Sequence, residues 1–163
     1  MAYASREIEA STADVFAVLV EPATYPSWLV GASAMRDVDD DWPEVGSRFH
    51  HRVGVRPLTI ADNSEVLAIE PDRLLRLAVR ARPLISAVVT FTLLGQGRRC
   101  VVSFEEEPGP RAVGKLVRPI FDPITHVRNH TSLKRLDAFM ASPASPTAPR
   151  QSGSSRHRAS AKE

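Results

Sequence analysis

Apolar and polar residues alternate with a period of two through the middle of this chain and recur near every 3.6 residues at its flanks, and that change of period lays out the elements. The clearest alternation sets Leu75, Leu77, Val79 and Ala81 against Arg76, Ala78, Arg80 and Arg82, the pattern of a half-buried strand in an antiparallel sheet. Val89, Phe91 and Leu93 repeat it, as do Val102 and Phe104, while Phe49, His51 and Val53 oppose Arg48, His50 and Arg52. Turn signals at Trp42-Pro43-Glu44-Val45-Gly46, Glu70-Pro71-Asp72 and Gly95-Gln96-Gly97 separate these runs. The spacing predicts strands over 32–41, 47–54, 57–70, 73–82, 85–94 and 98–107, joined in an antiparallel meander.

Before the meander, residues 3–11 have the length of a strand, and Ser11 then opens a helix. The serine and Asp14 three residues later form a capping-box-like start, followed by Val15, Phe16, Val18 and Leu19 at helical spacing. Pro22 and Pro26 break that pattern, so 22–30 is expected to be a short second helix or turn presenting Tyr25, Trp28 and Leu29. After Pro108-Gly109-Pro110, residues 111–141 read as helix interrupted by Pro119 and Pro123, with a first stripe at Val113, Leu116, Val117 and Ile120. A later stripe runs through Leu133, Leu136 and Met140. Extended backwards by the same steps it reaches Asn129, His126 and Asp122, and all six positions fall within about 80° on one helix face.

Composition narrows the class. With 163 residues, 43% hydrophobic and 25% charged, the chain has the size and make-up of one globular domain. The single Cys100 excludes an internal disulfide or a multi-cysteine metal cage, and the expected location is cytoplasmic: no apolar run reaches membrane-span length and the N-terminus lacks the core of a signal peptide. The net charge of +2 sits at one end. Residues 142–163 carry four Lys or Arg against Glu163, which leaves 17 basic and 18 acidic residues in 1–141. The reading is therefore a near-neutral domain over 1–141 and a disordered, basic, Pro/Ser/Ala-rich tail over 142–163, with no nucleic-acid partner expected.

The order strand, helix, short helix, about six antiparallel strands and a long last helix is an α+β layout, with a curved sheet wrapped around the C-terminal helix. The stretches DVFAVL, EPATYPSW, DWPEVGSRFHH, EPDRL and RNHTSLKRL, in that order over about residues 3–140, resemble the START-like SRPBCC superfamily, particularly its polyketide cyclase/dehydrase-like branch. The resemblance is a whole-chain pattern without a catalytic signature. It implies a helix-grip fold with a cavity between sheet and helix, and a hydrophobic small molecule, lipid-like or polyketide-like, as the partner. An aromatase/cyclase-type enzyme using the same cavity is the alternative.

Asp122, His126 and Asn129 are the sharpest candidates for chemistry. A carboxylate four residues from an imidazole can hold its tautomer and raise its basicity, as a general base requires, and Asn129 could hydrogen-bond a developing enolate. The opposing reading has Asp122 capping the helix and His126 facing solvent with His130. Of the adjacent His50 and His51, the phase of Phe49 and Val53 selects His51 for the interior. Glu106 falls on the inner phase with Val102 and Phe104, near the strand's end, and competes with a reading of Glu105-Glu106-Glu107 as a solvated sheet end. Trp28, Trp42, Phe49, Phe91 and Phe104 could line a pocket or simply form core. Arg80, with Arg76 and Arg82, reads as a solvated convex face or as a grip for a carboxylate. No metal site and no nucleotide cofactor is expected, because no ligand set has metal spacing and no phosphate loop or G-x-S-x-G occurs.

Overall fold

In the computed structural model, described for residues 1–55, 58–81, 85–108 and 118–146, seven strands form one antiparallel sheet. The side chains of 33–35, 51–55, 58–62, 81, 85 and 118–122 lie outside the description. The chain runs β1 (Ala2–Ile8), α1 (Thr12–Leu19), a 3-10 turn (Pro22–Thr24), α2 (Tyr25–Trp28), β2 (Ala32–Val38), β3 (Arg48–Val55), β4 (Leu58–Glu70), β5 (Leu74–Ala81), β6 (Ile85–Gln96), β7 (Arg99–Pro108) and α3 (Arg118–Met140). Strands β2 to β7 pair with their sequence neighbours, and β1 closes against β7, giving the order β1-β7-β6-β5-β4-β3-β2. This is the α+β layout that the change of period predicts, and the helix-grip arrangement that the family resemblance implies. Among the described residues no helix is long and apolar enough to cross a membrane.

Local chemistry sets the element ends. Ser11 is the N-cap of α1, its Oγ accepting the Asp14 N–H at 3.1 Å and donating to the Asp14 carboxylate at 2.6 Å. The β6–β7 hairpin crosses itself closely at Gly95, where a Cβ would stand 2.1 Å from the Arg99 carbonyl oxygen, so only glycine fits. Pro123 departs from the expected interruption, since α3 runs through it without a break. As the sixth residue of α3 it lies past the first turn, and the helix forgoes there the hydrogen bond to the Pro119 carbonyl. The expected stripe over 113–117 and the tail beyond residue 146 lie outside the described residues. Residues 141–146 follow α3 as turns in which Ser145 is buried.

The inner face of the sheet is built of registered rows. Phe91 of β6 stands between Leu75 of β5 and Phe104 of β7, with Ala4 of β1 beyond. The next row carries Val66, Leu77, Val89, Glu106 and Ala2, and the one after it Phe49, Ser64, Val79 and Ala87. Helices α1 and α2 close over the Phe91 end, where Trp28, Leu19, Val15 and Val18 are buried. Helix α3 lies chiefly along β1 and against α2. The small Ala2 and Ala4 of β1 let it approach the sheet, and Leu133 and Leu136 bury completely beneath it. Two ion pairs tie it down, Arg6 of β1 to Asp137 and Glu106 of β7 to Arg128.

Candidate functional site

The rings that the sequence offers as pocket lining are spent largely on one another. Trp28 meets Phe91 edge-on at 6.0 Å between centroids, Phe91 lies 4.5 Å from Phe104, and Tyr25 touches both Trp28 and Phe49 at 5.2 and 5.4 Å. Trp42 adds a further edge contact to Phe49 at 5.1 Å. Four of the five candidates, Trp28, Phe49, Phe91 and Phe104, are buried in this cluster with Trp42 packed against it, and the cluster serves as structural core. The indole N–H groups are satisfied within the protein as well, Trp28 donating to Thr24 Oγ1 and Trp42 to the Val20 carbonyl.

Polar groups gather where α3 meets β7 and the segment that follows α2. Glu106 occupies the inner phase of β7 expected for it, its side chain only 14% exposed, and its carboxylate is paired with the Arg128 guanidinium of α3. One position further along α3, Asn129 is fully buried, and neither its amide nitrogen nor its amide oxygen has a hydrogen-bond partner. Ser132, also fully buried, is bonded on both sides: its Oγ accepts the Val30 N–H at 3.1 Å and donates to the Arg128 carbonyl at 2.8 Å. On the sheet, Ser64 Oγ is buried and unpartnered beside Phe49, its registered neighbour on β3, three strands and so about 14 Å from Glu106 across the sheet.

His126 does not share the burial of Asn129; its ring is exposed. Positions 126 and 132 lie about 60° to either side of Asn129 around the helix. Rotation of the helix is not the cause, since Leu133, about 20° from His126 around the axis, is fully buried; residues 123, 124, 126 and 127 are all exposed, so the N-terminal turns of α3 stand clear of the packed part and His126 faces solvent there with His130. The expected stripe holds for Asn129, Leu133 and Leu136 and fails at His126. Asp122 belongs to α3, but its side chain lies outside the described residues, as does that of His51, whose backbone pairs with Asp62 across β3 and β4. His50 takes the outward face, with Nε2 3.5 Å from an Asp39 oxygen. Arg80 and Arg76 are likewise outward, toward Glu65 at 3.9 Å and Glu107 at 3.7 Å.

Arg128 is the residue that sequence reading missed. Its only signal was a cation next to Asn129 with an inward-phased carboxylate elsewhere in the chain. Burial pushes the Cys100 thiol up from its ordinary pKa, which keeps it protonated and unreactive. Among the described residues no three side chains of metal-binding type come together. The distinctive feature is thus a neutral amide, desolvated and unbonded on both sides, beside a self-neutralised ion pair and above an apolar sheet.

The family model described as polyketide cyclase / dehydrase and lipid transport matches residues 2–138. No curated protein matches the sequence. Among solved structures, protein CV1439 of Chromobacterium violaceum is similar with a TM-score of 0.65 at 17% identity, covering 87% of this chain and 99% of that one. Protein MLL2253 of Mesorhizobium loti reaches 0.61 at 19% identity, covering 85% and 95%. The di-domain aromatase/cyclase StfQ of the steffimycin biosynthetic pathway reaches 0.59 at 10% identity, covering 85% of this chain and 49% of its own. At these identities the likeness is one of fold.

Proposed function

The chain belongs to the polyketide cyclase / dehydrase and lipid transport family, and from that premise we propose that it binds a hydrophobic small molecule between the inner face of the sheet and α3, the polar end of that molecule meeting Asn129. The observation that carries the reading is the Asn129 amide, fully buried with both polar atoms unpartnered. Leaving a buried donor or acceptor unsatisfied costs about 1–3 kcal/mol. A group retained at that cost is explained if a ligand supplies the missing bonds. The surrounding surface supplies the apolar part, since Val66, Leu77 and Val89 front the same row as Glu106. The aromatic cluster forms the floor that keeps this arrangement rigid.

The cyclase reading of the same site draws no support from His126, whose ring is exposed. Binding is tested by native mass spectrometry of the protein purified from its own host, with a thermal-shift screen against lipids and aromatic polyketides. A retained apolar molecule, or a stabilising hit that Asn129→Leu weakens, supports it. An empty protein with no shift across the panel contradicts it.

A further inference from the structure

We infer that this site selects a ligand whose buried end is uncharged and carries both a hydrogen-bond donor and an acceptor, a hydroxyl or a carboxamide, and that it rejects the carboxylate of the same apolar body. The inference rests on the binding reading above and adds the chemical class of the head group.

Three observations lead there. The Asn129 side chain presents a carbonyl acceptor and an NH2 donor, and both are unpartnered at zero exposure. A ligand that only accepts leaves the carbonyl oxygen unsatisfied, and one that only donates leaves the NH2 so; a hydroxyl or a primary amide serves both. Ser132, three residues further along α3, cannot donate to a ligand, because its hydrogen is committed to the Arg128 carbonyl and one lone pair already accepts from the Val30 N–H.

The charges around the amide also decide against an anion. A buried carboxylate needs a cation to offset its desolvation. The arginines that reach between sheet and α3 among the described residues are both committed, Arg128 to Glu106 and Arg6 to Asp137, the latter through Nε at 2.8 Å and Nη2 at 2.6 Å. Glu106, 14% exposed and adjacent to Arg128, would further repel a second carboxylate. The unpartnered group on the facing sheet, Ser64 Oγ, is a neutral hydroxyl. Every free hydrogen-bonding group described on the inner faces is therefore uncharged.

The test uses the full-length protein and four probes on one naphthalene body: 2-naphthol, 2-naphthamide, 2-naphthoate and 2-methoxynaphthalene, with affinities measured by isothermal titration at pH 8. The naphthol and the naphthamide are expected to bind about tenfold more tightly than the naphthoate and the methyl ether. In Asn129→Leu the preference for the naphthol over the methyl ether should vanish, while the naphthoate stays disfavoured. Equal affinities in the unmodified protein, or a preference for the naphthoate, overturn the head-group inference and leave ligand binding standing. Failure of all four probes to bind contradicts the binding reading, and this inference with it. The unmodified protein alone decides the matter should the leucine variant not fold.

Discussion

Arg128 on α3 and Glu106 on β7 form an ion pair whose carboxylate side is 14% exposed and whose guanidinium side is 39% exposed. The asymmetry sets the cost of breaking it. Removing the arginine strands a mostly buried carboxylate, whereas removing the carboxylate leaves a cation that can turn to water. Arg128→Met should therefore destabilise the protein by about 1–3 kcal/mol, and Glu106→Gln by less. The double variant should recover part of the arginine loss. Urea midpoints of the four proteins give the coupling directly; strictly additive effects would show that the pair does not hold α3 to the sheet.

His126 and Phe91 separate surface from core. Phe91→Ala should cost about 3–5 kcal/mol, since the ring is 1% exposed and packs between Trp28 and Phe104. His126→Ala should change stability by less than about 0.5 kcal/mol and leave probe affinity unaltered. A large loss of binding in the histidine variant would mean that the ring does reach the ligand.

Alkaline stability should fall through Tyr25. Burial, assisted by the Glu21 charge, raises its phenol above the ordinary 10.0, and its hydroxyl donates to the Leu19 carbonyl. Below pH 10 both folded and unfolded chains keep the proton; above it only the unfolded chain releases it, so the stabilisation is complete below 10 and is lost as pH rises toward the raised folded value. Tyr25→Phe should cost about 1 kcal/mol at pH 8 for the missing hydrogen bond. Between pH 10 and 11 the gap to the unmodified protein should narrow by about 1 kcal/mol. A gap that stays constant over that range would contradict the assignment.

Local signals carried most of the fold. Period-two alternation located the strands because one face of the sheet is buried and the other wet, as at Leu75 and Leu77 against Arg76 and Arg80, and the Ser11 cap is a contact within four residues. The phase of Val102 and Phe104 put Glu106 inside for the same reason. Arg128 was hidden because its partner lies 22 positions away, and no period links a strand to a helix across a loop. Of the two readings of His126 the solvent-facing one holds, and helix phase could not choose between them, because phase gives the direction around the axis and not how far along α3 the packing extends: Leu133 is buried and His126, nearly above it, is exposed. Nor does composition tell whether aromatic rings such as Phe91 and Phe104 will meet each other or a ligand.

Asn129→Leu tests the central claim most directly, through unfolding free energies of the unmodified protein and the variant, each with and without 2-naphthol. If the amide is held unbonded for a ligand, the leucine variant should be the more stable by about 1–2 kcal/mol without the probe and should lose most of the stabilisation that the probe confers. A variant that is less stable without the probe, yet is stabilised by it as much as the unmodified protein, would show that Asn129 is bonded within the fold and is no part of a binding site.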